Sequence, residues 1–243
     1  MTIRAKVLQV FMFLTIATMA ASPALASNND RQTTYKITIY NLTAGQPLTP
    51  PVVAVHNSRA NVFSVGNEAS DAVVAIAENG DLSLLTAALA GNNNVNDYVV
   101  GDAPIVPAHD PAGTGFAASA SFKIKANRRA RFVSFVSMLI CTNDGFTGID
   151  TVSLPHRKKT IYANAYETRS EYNTEDFADI VPPCQGLIGV SSDDGGTGMS
   201  NPALAEDGVV IPHAGVVGDN DLESRVHNWA DPVVKIVIER LRH

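Results

Sequence analysis

Residues 130–140 (Ala-Arg-Phe-Val-Ser-Phe-Val-Ser-Met-Leu-Ile) constrain the fold more than any other segment. Their β-branched and aromatic content disfavours a helix, and apolar residues crowd the run instead of alternating. A strand of this kind is buried on both sides, so layers must cover each face. Shorter strand signals surround it. Tyr35, Ile37 and Ile39 alternate with Lys36, Thr38 and Tyr40 and give a strand with one apolar face. Gln46-Pro47-Leu48-Thr49-Pro50-Pro51 breaks that pattern before a second apolar run, Val52 to Val55. Phe122-Lys123-Ile124-Lys125 alternates again, Asn127-Arg128-Arg129 turns, and Val233 to Arg240 closes the chain as a last strand.

Residues 68–90 change character. Ala72, Val73, Ile76 and Ala77 stand at helical spacing after Ser70-Asp71, and Gly80 ends the run. Asp81 is placed to cap a second helix carrying Leu82, Leu85, Ala88 and Leu89, closed by Gly91. Both helices are short and Ala-rich, and the expectation is that they cover one edge of a sheet. Residues 185–221 read as long acidic, Gly-rich loops. Strands at both ends with helices inserted between them predict a mainly β fold, one antiparallel β-sandwich with two short inserted helices. The expected organisation is a signal segment over 1–26, a free end over 27–34 and one domain over 35–243.

The signal segment has three parts. Arg4 and Lys6 form a positive start, an apolar run follows from Val7 to Ala21, and Ala24-Leu25-Ala26 offers the small residues that signal peptidase reads. Cleavage between Ala26 and Ser27 is expected, which makes the protein exported, periplasmic or secreted. The apolar run is short for a span of ~20 residues, and no later stretch approaches that length, so no membrane span is expected in the mature chain.

Cys141 and Cys184 are the two cysteines. Their spacing is neither a zinc pattern nor a redox C-x-x-C pair, and in an exported chain an even pair reads as a disulfide. The 243-residue chain carries a net charge of −6. That balance argues against nucleic acid as a partner, for want of a basic patch to offset phosphate, and favours cations. No H-E-x-x-H, G-x-S-x-G or Walker A pattern occurs, and the histidines are scattered singly, so no enzyme is expected.

The stretch Ser137-Met138-Leu139-Ile140-Cys141-Thr142-Asn143-Asp144-Gly145-Phe146-Thr147-Gly148-Ile149-Asp150 resembles the signature of the spondin N-terminal domain family. So do Tyr40-Asn41-Leu42-Thr43 with Gln46 to Pro51, then Asn164-Ala165-Tyr166 through Pro182-Pro183-Cys184, and finally Gly218-Asp219-Asn220-Asp221-Leu222 with Trp229. The resemblance implies a C2-like sandwich, an extracellular setting and calcium as cofactor. One departure stands out. The family commonly has Tyr-Asp-Ala-Gly-Thr-Glu where this chain has Tyr166-Glu167-Thr168-Arg169-Ser170-Glu171. The family's Gly supports a left-handed turn there, and Arg169 brings a positive charge beside the acids.

Calcium takes ~6–8 hard oxygen ligands. Asp144 and Asp150 flank what reads as a Gly-containing turn, and Glu167 and Glu171 come from a later segment that a Cys141–Cys184 bond would hold nearby. The expected ligands are Asp144, Asp150 and Glu171, with Glu167 as a fourth and Asn143 through its amide oxygen. Asp193-Asp194 and Asp219-Asn220-Asp221 are read as turn chemistry. The expectation is a non-enzymatic binding or adhesion module for an extracellular or cell-surface ligand, protein or glycan. The competing expectation is a secreted glycan hydrolase using Asp144 and Asp150 as paired carboxylates.

Overall fold

The computed structural model describes residues 32–242. The expected signal segment and its Ala26–Ser27 junction lie outside the described residues. Strands β1 (Thr33–Asn41) and β2 (Val52–His56) precede helices α1 (Asp71–Asn79) and α2 (Ser83–Ala90). Strands β3 (Val95–Val100), β4 (Ser119–Ala126), β5 (Phe132–Met138), β6 (Gly145–Ser153), β7 (Lys158–Ala163) and β8 (Ala165–Glu167) follow. Then come α3 (Pro183–Ile188), β9 (Ile211–Pro212), α4 (Ser224–His227) and β10 (Val234–Arg240).

Two antiparallel sheets result, ordered β4-β1-β10-β7 and β3-β2-β5-β6-β8-β9. The mainly β sandwich with helices inserted over 68–90 is therefore present. The first and last strands are neighbours, in register from Tyr35↔Arg240 to Asn41↔Val234. Alternation decides which face each side chain takes. Ile37 and Ile39 of β1 and Ile236 and Ile238 of β10 are fully buried against Val53, Val55, Val133 and Phe135 of the other sheet. At about 1.5–3 kcal/mol for each large apolar side chain removed from water, this layer is a principal source of stability.

The second face of the six-stranded sheet is covered as well. Val52, Ala54, Val136 and Met138 pack under Val73, Ile76 and Ala77 of α1, Leu85 and Leu89 of α2, and Leu187 and Ile188 of α3. That is why β5 carries apolar residues on both faces. The helices lie on the face of the sheet, not along its edge as the sequence led one to expect. Gly80 ends α1 in the left-handed region at φ 66°, with its N–H on the Ile76 carbonyl at 2.9 Å. Asp81 accepts the Ser83 N–H at 2.8 Å, so its carboxylate serves the start of α2 from one residue before the cap position. β1 starts at Thr33, paired with Ala126, so the polar end is shorter than its composition indicates. The loop region 185–221 contains the end of α3, a 3-10 turn at Pro202–Leu204 and the short β9.

Residues 145–153 are the main correction. They form the interior strand β6 and not a loop tip. Small residues permit this: a Cβ on Gly148 would stand 2.3 Å from the Phe135 carbonyl oxygen and 2.9 Å from the Phe63 ring. Cys141 and Cys184 form the expected disulfide, with Cα atoms 5.1 Å apart. It ties the chain just past β5 to α3, and both cysteines are buried in the helix-side core.

Candidate cation site

The β5–β6 connection is a tight turn, and its geometry aims Asp144 inward. Leu139 N–H donates to the Gly145 carbonyl at 2.9 Å. The Thr142 hydroxyl donates to the Leu139 carbonyl at 2.7 Å and accepts from Gly145 N–H at 2.9 Å. Strand β8 pairs with β6 through Gly145↔Glu167, which brings the 167–171 segment over Asp144. Backbone pairing therefore joins the disulfide in holding the two segments together.

Asp144 is fully buried. Its Oδ2 accepts from Ser170 N–H at 2.9 Å, Glu171 N–H at 3.4 Å and the Thr168 hydroxyl at 3.1 Å. Its Oδ1 is buried and has no partner. Burial pushes the carboxyl up to about 6 against those hydrogen bonds, and Glu167 adds to the rise. Glu171 is pushed up to about 7 by burial, with Glu78, Asp144 and Asp179 adding negative field. It accepts the Asn201 N–H. Burial raises Glu167 as well, offset in part by the Asn173 amide and Arg169; Asn173 donates to its Oε2 at 2.7 Å.

Of the five expected ligands, Asp144, Glu167 and Glu171 lie near enough for their charges to act on one another, although their carboxylates do not converge on one point. Asn143 is adjacent, but its amide oxygen accepts Thr174 N–H at 3.1 Å. Asp150 does not join them. It lies six residues along β6, roughly 20 Å away at about 3.3 Å per residue. Its oxygens are occupied by Val62 N–H at 2.6 Å, the Ser134 hydroxyl at 2.9 Å and the Thr151 hydroxyl at 2.6 Å. The same separation removes Asp144 and Asp150 as a hydrolase pair, because glycosidase carboxyls stand ~5–9.5 Å apart.

Arg169 adopts φ 57°, the left-handed conformation for which the family's Gly is suited. Its guanidinium turns to Glu206, with contacts of 3.1 and 3.3 Å. Gly208 makes room, since a Cβ there would meet the Arg169 Cβ at 2.0 Å. Sequence reasoning missed Glu78 and Asp179, which add to the field on Glu171. Glu78 had one signal: an acid in the last turn of a helix opposes the macrodipole, and this one is buried and bonded to the Ser200 hydroxyl.

In kind, the donors fit calcium: hard carboxylate oxygens, an unpartnered Oδ1 and the paired hydroxyls of Thr168 and Ser170, 2.6 Å apart. Among the described residues, no three His, Cys, Asp or Glu side chains are grouped so as to hold a metal in the conformation observed. Closing around an ion would require Glu167 and Glu171 to leave their present hydrogen bonds.

The Spondin_N family model matches residues 40–167. The chain belongs to the Spondin_N family. No curated protein matches it. The matched part of this Spondin_N chain runs from the end of β1 to the end of β8. It includes Asp144 and Glu167 and stops before Glu171, Cys184 and the later loops. Membership supports a domain that is, in general terms, non-catalytic and extracellular. No helix among the described residues is long and apolar enough to cross a membrane.

The raised carboxyls give a pH prediction. Asp144 and Glu171 hold protons more tightly in the folded chain than in the unfolded one. In metal-free protein, their contribution to stability is complete below about pH 4 and is lost as pH rises through 6 to 7. His213 acts the other way, because burial lowers it to about 4. The comparison must therefore be made against a variant. In EDTA at pH 7.5, Asp144→Asn/Glu171→Gln should be more stable than wild type by on the order of 1–3 kcal/mol, with the gap closing toward pH 4.5. Urea unfolding across that range measures it; a gap that widens on acidification contradicts the assignment.

Proposed function

We propose that this Spondin_N chain is an exported, non-enzymatic binding or adhesion-type domain, periplasmic or secreted, whose acidic end takes up calcium. Asp144 carries the reading. A fully buried carboxylate with one orphaned oxygen, facing Glu167 and Glu171, is stable when protonated or when a cation neutralises it. The nearby cation, Arg169, is exposed and engaged with Glu206. Asp144, Glu167 and Glu171 would hold the ion, and the hydroxyls of Thr168 and Ser170 would complete the oxygen set. Calcium would supply charge neutralisation and rigidity to the loops there, leaving them ordered for a protein or glycan ligand. Export is supported by the disulfide, which persists in oxidising compartments.

Extracellular calcium modules commonly bind at ~10⁻⁴–10⁻³ M. Calcium at ten times Kd stabilises the folded state by about 1.4 kcal/mol. The melting temperature of metal-stripped protein should rise with millimolar calcium, fall back with EDTA and respond less to magnesium. Asp144→Asn should abolish the response and Asp150→Asn should leave it intact. Identical melting of wild type with and without calcium overturns the proposal.

A further inference from the structure

At the end of the sandwich opposite Asp144, the sheet turns gather positive charge. The β4–β5 turn presents Arg128, Arg129 and Arg131, and the residues after β2 present Arg59; all four are exposed. Arg157 precedes and Lys158 opens β7, and Arg240 and Arg242 lie beside them at the end of the described residues. Three clefts of about 640, 650 and 600 Å³ are lined by these groups. The first two share Asn57, Asn127 and Arg129, and the last two share His156 and Arg240, so they form one continuous surface. Eight of the chain's 18 Lys and Arg residues line it against one acid, Glu239, in a protein whose net charge is −6. Glu239 neutralises Lys158 at 2.9 Å. None of the seven arginines is in a salt bridge among the described residues. The sequence argument that no basic patch exists is thus corrected by the fold.

The surface is held rigid by its backbone. Asn57 accepts Arg59 N–H at 2.8 Å, and Asn127 accepts the N–H groups of Arg129 and Ala130 at 2.8 and 3.0 Å. Arg240 N–H donates to the Arg157 carbonyl at 2.7 Å, and Leu154 N–H to the Arg131 carbonyl at 2.9 Å, which locks the neighbouring turns together.

We propose that this basic end binds an acidic polysaccharide, one bearing carboxylate or sulfate groups along its chain. Arginine forks match such groups in a bidentate way that lysine cannot. The first cleft is also lined by Asn57, Asn93, Asn94, Asn96 and Asn127; Asn57, Asn94, Asn96 and Asn127 are partly engaged with one another or with the backbone, and the amide groups left over suit sugar hydroxyls. Nucleic acid fits less well, because single strands stack on aromatic platforms. The phenyl and phenol rings in the clefts are Tyr35, which is buried, and Phe132, which lies against His56 at 6.4 Å, so the one exposed ring is the imidazole of His156, too small a platform for a run of bases. A membrane surface fits less well too, since none of the exposed large hydrophobic residues lines the clefts. The inference deepens the binding-module reading by naming a ligand class, and it is independent of calcium.

Fluorescence anisotropy in EDTA, with labelled heparin-derived and polygalacturonate oligosaccharides, tests it and separates failure here from failure of the calcium reading. Binding to at least one probe should weaken about tenfold between low and physiological salt, and neutral dextran should not compete. Tighter binding of the heparin probe would point to sulfate as the anion, and of polygalacturonate to carboxylate; both support the proposal. Arg129→Gln/Arg240→Gln should weaken binding at least tenfold without changing the melting temperature. Arg225→Gln, which removes the same kind of charge beside Glu223 at the other end, should change it less than twofold. Failure of both probes to bind overturns the inference. So does equal weakening by Arg225→Gln, or tighter binding of a DNA duplex at the same salt.

Discussion

Phe146→Ala is expected to lower the free energy of unfolding by about 3–5 kcal/mol, read by urea denaturation. The ring is fully buried and meets Phe63 edge-on at 5.0 Å and Tyr166 at 5.7 Å. Phe63 comes from the loop between β2 and α1, and Tyr166 from β8, so one ring joins three distant segments. The site collapses poorly around a cavity because Gly148 already brings Phe63 against the sheet. Phe146 also lies two residues from Asp144, so the variant should show a weaker calcium response. A loss under about 1 kcal/mol would mean that these rings are not a packed unit.

Removing the disulfide should have an effect of similar size. Cys141→Ser/Cys184→Ser opens a loop closed across 43 residues, and the chain-entropy model assigns such a closure on the order of 4 kcal/mol. Asp144, Glu167 and Glu171 all lie inside that loop. Reduced wild type and the double variant should therefore melt lower than the oxidised protein and need more calcium for half its effect. Coincident melting of oxidised and reduced forms would show that backbone pairing alone holds the loop closed.

The sequence predicted those elements whose patterns are local. Alternation gave β1, the Ser70 to Gly80 signals gave α1, and continuous apolar character gave β5 with both faces covered. It misread β6, because Gly145-Phe146-Thr147-Gly148 has turn composition and the close approach that demands Gly148 is visible only across the sheet. That error placed Asp150 beside Asp144. The pairing of β6 with β8 instead brings the segment carrying Glu167 and Glu171 to Asp144. Glu78 and Asp179 entered through tertiary contacts between α1 and the later loops. The basic end was hidden for the same reason: Arg59, Arg129, Arg157 and Arg240 are far apart in the chain and meet where antiparallel strands turn.

Calorimetric titration of metal-stripped protein with calcium near pH 7.5 tests the central claim most directly. Wild type should bind at one site with Kd of ~10⁻⁴–10⁻³ M. Asp144→Asn and Glu171→Gln should each abolish the heat, and Asp150→Asn should leave it unchanged. A flat titration of wild type, or loss of binding in Asp150→Asn equal to that in Asp144→Asn, would contradict the account.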